Sequence, residues 1–68
     1  MMFGNARINQ FIEVLKEDGH SDGWFNGRLV MVDWNEHDGE YQMAVDDDAE
    51  YLYTSSLLEI AQTIVGFY

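Results

Sequence analysis

The feature that most constrains this chain is the segment from Leu29 to Tyr53, in which short runs of strand length are separated by turn-forming residues. The segment reads LVMVDW, NEHDGE, YQMAV, DDDAE and YLY, so acidic turns separate three apolar runs. Successive side chains of a strand point to opposite faces of its sheet. Asp38-Gly39 is a two-residue hairpin signal, because both residues tolerate the positive φ of a type I′ turn. The sequence therefore predicts a hairpin followed by a third antiparallel strand.

A tight turn at Asp38-Gly39 also sets the register of the first hairpin. It places Val32 opposite Val45 and Trp34 opposite Met43. One face of the hairpin then carries Val30, Val32, Trp34, Tyr41, Met43 and Val45. Because this face is apolar and the other is mixed, we predict that it is the core face.

A second tight turn, at Asp47-Asp48, joins the second strand to the third. It places Leu52 opposite Met43, in the core, and turns Tyr51 and Tyr53 to the outer face of the sheet. Asp-Asp is a weaker hairpin signal than Asp-Gly. A different register would turn the two tyrosines inward.

Two helices flank the strands. Asn5 is a suitable N-cap and Gly19 a suitable C-terminal stop for the first helix, whose apolar residues follow the i, i+3, i+4, i+7 pattern. The second helix begins with the capping-box sequence Ser56-Leu57-Leu58-Glu59 and carries a wide apolar stripe. Between the first helix and the hairpin, a strand is predicted to start near Trp24, with Asn26-Gly27 as a bulge or kink.

These elements predict one α+β domain over residues 1–68, in the order α-β-β-β-α. It has a three-stranded antiparallel sheet with both helices on one face. The predicted core is Ile8, Phe11, Ile12, Leu15, Val30, Val32, Trp34, Met43, Val45, Leu52, Leu57, Ala61 and Ile64.

The end of the first helix breaks a local rule. Glu17 and Asp18 lie at the negative end of the helix dipole, where cations are preferred. Glu13 and Glu17 are like charges at i, i+4, which Lys16 relieves only in part. Such a conflict is typical either of a functional surface or of an acidic face in solvent, and the sequence leaves both open.

The net charge narrows the classes of binding partner. Thirteen acidic residues against three basic ones give a net charge of −10, while 47% apolar residues are enough to build a core. Direct binding to nucleic acid or to an anionic membrane is disfavoured, because both need Lys and Arg. The chain has no cysteine, no run of about 20 apolar residues and no secretory signal, so we expect a cytoplasmic location.

No constellation predicts catalysis or a cofactor. Asp46-Asp47-Asp48 with Glu50 offers carboxylates for a hard cation, but successive strand residues diverge and the EF-hand spacing is not met. The only histidines, His20 and His37, lie in predicted loops with no partner implied by spacing. We therefore expect a protein that is not an enzyme and that holds neither a metal nor a cofactor.

A small, cysteine-free acidic domain with carboxylates in its strand-connecting loops, NEHDGE and DDDAE, resembles the phage-encoded DNA-mimic inhibitors of the anti-CRISPR type. The resemblance is at the level of the class and covers architecture and charge. It implies a stoichiometric inhibitor that binds the basic nucleic-acid-binding surface of a host defence nuclease complex. The element order is also similar to that of the double-stranded-RNA-binding domain, but Ser56-Leu57-Leu58-Glu59 stands where that family needs lysines, so RNA binding is not implied.

The predicted partner-binding residues are acids of the two turns and tyrosines of the outer face. They are Asp33, Glu36, Asp38, Glu40, Asp46, Asp47, Asp48, Glu50, Tyr51 and Tyr53. The alternative is a small assembly protein that forms a homodimer through the outer face, with Leu29 and Met31 beside the tyrosines and acidity serving only solubility.

Overall fold

The computed structural model describes residues 5–68, which form two helices and an antiparallel sheet. The elements are α1 (Ala6–Asp18), β1 (His20–Phe25), β2 (Arg28–Asn35), β3 (Glu40–Val45), β4 (Asp48–Thr54) and α2 (Leu57–Val65). The strands are ordered β1-β2-β3-β4, each paired with its neighbour in sequence. The α+β class is confirmed, but the prediction of three strands was wrong, because there are four.

The strand missing from the prediction is β1. It was missed because Asn26-Gly27 was interpreted as a bulge or kink within one strand, whereas it is the turn between β1 and β2. Asn26 and Gly27 have φ values of 51° and 78°, which is the geometry of a two-residue type I′ hairpin and not of a bulge. Phe25 and Arg28 are cross-strand partners on either side of this turn. The strand contains Gly23 because a side chain there would meet the rings of Phe25 at 3.1 Å and Phe11 at 3.7 Å. Glycine thus lets α1 lie close against β1.

The β2–β3 register differs from the predicted one by two residues. Val32 pairs with Met43 and Trp34 with Tyr41, and residues 36–39 form a four-residue loop. The cause is Asn35, whose side-chain oxygen accepts hydrogen bonds from the N–H groups of residues 37 and 38 at 3.1 and 3.3 Å. Because the shift is an even number of residues, every side chain keeps the face that the sequence predicted.

The β3–β4 hairpin turns at residues 46 and 47, one residue earlier than predicted. Val45 pairs with Asp48, yet Met43 pairs with Leu52 as predicted, so β4 carries a bulge between these two pairs. Within the bulge, the Gln42 side-chain amide donates to the Ala49 carbonyl at 2.8 Å.

Both helices pack on one face of the sheet around a single core. The buried apolar residues are Ile8, Phe11, Ile12, Leu15, Phe25, Val30, Val32, Met43, Val45, Ile60, Ala61 and Ile64. Leu52 and Leu57 are only partly buried against this core, and Phe25 and Ile60 were not in the predicted set. Trp34 was wrongly predicted as core and is 41% exposed. It lies at the end of α1, where the main-chain N–H of Trp34 donates to the Gly19 carbonyl at 2.7 Å.

The predicted helix ends are confirmed. The Asn5 side chain accepts from the N–H groups of Arg7 and Ile8, and Gly19 ends α1 with φ 80°. The Ser56 hydroxyl accepts from the Glu59 N–H at 3.1 Å. The second half of the capping box differs, since the Ser56 N–H donates to the Thr54 hydroxyl and not to Glu59.

Candidate protein-binding surface

The face of the sheet opposite the helices, called here the outer face, mixes exposed apolar residues with carboxylates. Strand alternation and the observed register place one row across all four strands: His20, Asp33, Gln42 and Tyr53. The next rows carry Asp22, Met31 and Ala44, then Trp24 and Leu29. Trp24, Met31 and Tyr53 are 58%, 43% and 41% exposed. Trp24 lies opposite Leu29 and next to the row of Met31, and exposed apolar side chains that adjoin one another in this way are typical of contact surfaces.

Tyr53 gathers part of the predicted acidic set around it. Its hydroxyl donates to a Glu50 carboxylate oxygen at 3.3 Å. The loss of surrounding water, the charge and hydrogen bond of Glu50, and the charges of Glu40 and Asp38 all raise the pKa of Tyr53. These three acids belong to different turns and strands, so the fold brings together side chains that the sequence only lists in order.

The basic residues lie away from the outer face. The Arg7 guanidinium lies over the Phe25 ring at 5.3 Å, and that of Arg28 lies over the Phe67 ring at 4.9 Å. Both rings belong to the core side, and Lys16, the third base of the chain, is on α1. The outer face therefore carries Asp22, Asp33 and Glu50 with no Lys or Arg among them, and its potential is negative.

The two acidic turns lie at opposite ends of the sheet. The loop of residues 36–39 and the C-terminal end of α1 lie at one end, where Glu36, Asp38, Glu17 and Asp18 are all exposed. The turn at residues 46 and 47 lies at the other end, beside the β1–β2 turn. The acids of the two turns are therefore separated by the length of the strands, while Asp33, Glu50 and Tyr53 lie on the strands between them.

Asp46 has a structural role that its neighbours do not share. Its carboxylate accepts from the Leu29 N–H at 3.0 Å and lies 3.8 Å from the Arg28 guanidinium. Asp46 also has φ 54°, and its own N–H donates to the Leu29 carbonyl. Asp48 accepts only from the Glu50 N–H, and no hydrogen bond or ion pair within residues 5–68 involves the Asp47 carboxylate.

Tyr51 is placed differently from Tyr53. Its ring makes an edge contact with Phe67, with centroids 6.0 Å apart, and Phe67 packs against the core. The Asn26 amide donates to the Phe67 carbonyl at 2.6 Å, which ties this residue to the β1–β2 turn. Tyr51 is thus engaged by the segment that follows α2.

Trp34 and Tyr41 form a feature that the sequence did not reveal. Their rings meet edge to face with centroids 4.7 Å apart, and with the end of α1 they line a notch of about 390 Å³. Its other lining residues are Leu15, Lys16, Glu17, Asp18 and Gly19. The one available signal was the pair of acids at the wrong end of the helix dipole.

The sequence neighbours His20, Ser21 and Asp22 do not converge into a catalytic group. Ser21 is buried on the core side, whereas His20 and Asp22 point to the other face, as strand alternation requires. Within residues 5–68, no three His, Asp or Glu side chains are grouped so as to hold a metal ion.

No family model, curated protein or solved structure matches this chain. Neither α1 nor α2, the helices of the described residues, has the length and apolar character needed to cross a membrane.

Proposed function

We propose that this protein binds the basic nucleic-acid-binding surface of another protein and thereby acts as a stoichiometric inhibitor. The observation that carries the proposal is the uneven placement of the bases across the sheet. Carboxylates and exposed apolar side chains share the outer face, which holds none of the three bases, while on the helix side the bases lie among acids such as Glu13, Glu17 and Asp18. A surface of this kind complements one that is rich in Lys and Arg.

The charge density supports competition with nucleic acid. A net charge of −10 over a longest dimension of 32 Å is one charge per about 3 Å of length. Duplex DNA carries one charge per about 1.7 Å, and each of its strands one per about 3.4 Å. The protein therefore matches the linear charge of a single strand. Electrostatic steering speeds encounter with a basic groove, and Trp24, Met31 and Tyr53 add apolar contact area.

The class of target is part of the same proposal. A host defence nuclease complex has to hold nucleic acid in a basic channel, which is the surface that an acidic outer face fits. The resemblance to phage-encoded DNA-mimic inhibitors points to this class of partner and to the host cytoplasm as the place of action.

A homodimer through the outer face is the second candidate, favoured by the exposure of Trp24, Met31 and Tyr53. Charge opposes it, because stacking two copies brings the carboxylates of Asp22, Asp33 and Glu50 against one another with no base between them. Sedimentation equilibrium separates the candidates. The proposal predicts a monomer at low salt, and a stable dimer under those conditions favours the homodimer.

The proposal is tested by capture and competition. The protein is immobilised and exposed to a lysate of the host cell, and bound proteins are eluted first with duplex DNA and then with denaturant. We expect nucleic-acid-binding proteins in the DNA eluate. If the bound proteins leave only with denaturant and none leaves with duplex DNA, the binding surface is not one that nucleic acid occupies. The proposal is then wrong.

A further inference from the structure

We propose that the notch formed by Trp34, Tyr41 and the end of α1 takes the guanidinium of an arginine from the partner. This inference rests on the proposed function for the identity of the partner as a basic protein. It adds a second, smaller contact at the end of the sheet, distinct from the outer face.

Backbone geometry builds the notch. Gly19 ends α1 with φ 80°, a conformation that glycine adopts without strain, and its carbonyl accepts from the Trp34 N–H at 2.7 Å. This bond holds the last turn of the helix beside the end of β2. Trp34 pairs across the sheet with Tyr41, so both rings stand next to the helix end. The opening is fixed by the strand register and by the cap.

The aromatic pair is exposed where the rest of the core face is covered. Trp34 remains 41% exposed because α1 ends before it can cover the ring, and Tyr41 is partly buried against the core. The rings are steeply inclined to each other, with an interplanar angle of 66°, and meet edge to face. An edge-to-face pair keeps one ring face free to accept a planar cation.

Charge selects the occupant. Glu17 and Asp18 line the notch at the negative end of the α1 dipole, where each acid destabilises the free protein. A cation bound there removes both conflicts. Lys16 is the one base that lines the notch, and it forms no ion pair with either acid. Acids at the C-terminal end of α1 are unfavourable in the free protein, but they become favourable when a partner supplies positive charge.

The planar guanidinium fits this site better than an ammonium. Arginine stacks on aromatic faces and binds carboxylates through two parallel hydrogen bonds, whereas lysine is a compact, strongly hydrated charge. The chain already uses the same contact twice, with Arg7 over Phe25 and Arg28 over Phe67. Both arginines of the chain already make ring contacts on the core side, and the proposed function supplies a basic partner, so the occupant is taken to come from a different protein.

The notch is tested without the partner. A short uncharged peptide with one arginine is titrated into the labelled protein, while the two tryptophan indole N–H signals and the Tyr41 amide are followed by NMR. A Trp24→Phe variant assigns the indole signals. The control peptide replaces arginine with citrulline, which has the same shape without the charge. We expect saturable shifts at Trp34 and Tyr41, with affinity for the arginine peptide at least about fivefold higher than for the citrulline peptide.

Matched variants identify the contributing side chains. Glu17→Gln with Asp18→Asn keeps the shape of the notch and should weaken arginine-peptide binding at least about fivefold. Asp33→Asn, on the outer face, should leave it unchanged. Equal shifts with the two peptides, shifts centred on Trp24, or full affinity in the Glu17→Gln, Asp18→Asn variant would each overturn the inference.

The outcomes separate this inference from the proposed function. If the peptide binds the notch but the host lysate yields no protein that DNA releases, the notch stands and the proposed function fails. If DNA releases a captured partner but the peptide does not shift Trp34, the proposed function stands and the notch does not.

Discussion

The side chain of Asp46 shows that an acidic residue can hold the fold as well as contribute charge. It accepts from the Leu29 N–H at 3.0 Å and lies beside Arg28 in the one ion pair found within residues 5–68. The other twelve carboxylates of the chain have no ion-pair partner there. Recognition is therefore better tested at other acids, because reversing Asp46 would break a structural contact as well as change the charge.

Asp46→Ala is expected to lower the free energy of unfolding by about 1–2 kcal/mol, because the Leu29 N–H loses its charged acceptor. Asp47→Ala, the matched change next to it, should stay within about 0.5 kcal/mol of the parent. Urea denaturation measures both. Equal midpoints for the two variants would show that the Asp46 contacts contribute nothing.

Tyr53 supplies a pH-dependent prediction. Its raised pKa means that the folded protein disfavours the phenolate, which the unfolded chain forms first as pH rises. The Tyr53 contribution to stability is therefore complete below the ordinary tyrosine pKa of about 10 and is lost as pH increases through the folded-state value. Denaturation of the parent and of Tyr53→Phe between neutral and alkaline pH should show the parent losing more stability. Parallel pH profiles would contradict the effect of Glu50, Glu40 and Asp38 on this hydroxyl.

Among the helices and strands, short sequence signals correctly predicted the helix ends and the faces of the strands. Asn5, Gly19 and Ser56 were identified as helix caps, and period-2 alternation assigned residues 29–35 of β2 and 41–45 of β3 to the correct face. The β2–β3 register was wrong by two because Asn35 organises a longer loop through its side chain, and that bond is not visible in a turn dipeptide.

The remaining element errors have tertiary causes. Strand β1 has little intrinsic strand preference, and it is stabilised by pairing with β2 and packing on α1, although the Asn-Gly dipeptide was a hairpin signal. Trp34 has the periodicity of a core residue, but its burial depends on where α1 ends. The notch was missed for the same reason, since it exists only once the helix end meets the sheet.

Substitutions on the two faces of β2 give a matched test of which face is buried. Val32 is fully buried and Met31, its neighbour, points to the outer face and is 43% exposed. Val32→Ala should lower the free energy of unfolding by about 1–3 kcal/mol through lost burial and a residual cavity. Met31→Ala should change it by less than about 0.5 kcal/mol. Similar losses in the two variants would contradict the assignment of the faces.

For the whole molecule, unbalanced charge is the dominant property. A net charge of −10 on 68 residues repels itself in the folded state, and a single ion pair within the described part of the chain offsets little of it. Folding tolerates this repulsion because the core is continuous across both helices and all four strands. Binding to a basic partner would lower the same repulsion. The electrostatic free energy that destabilises the free protein would then favour formation of the complex.

Salt should act in opposite directions on folding and on binding. Raising monovalent salt from about 10 mM to about 1 M shortens the Debye length from about 30 to about 3 Å. We expect the melting temperature of the free protein to rise, because repulsion is screened, and the affinity for a basic partner to fall. Circular dichroism melts and binding titrations over the same salt series measure both. A melting temperature that falls with salt would show that net repulsion is not what limits stability.

One pair of charge reversals decides whether the outer face carries recognition. Asp33→Lys on the outer face and Glu13→Lys on α1 make the same change in net charge at two exposed sites. Each affinity is measured by calorimetry against the partner that duplex DNA releases. We predict that Asp33→Lys weakens binding at least about tenfold, while Glu13→Lys weakens it by no more than the general effect of charge, about threefold. We also expect both variants to remain folded. Equal losses for the two variants, or full affinity of Asp33→Lys, would contradict recognition by the outer face.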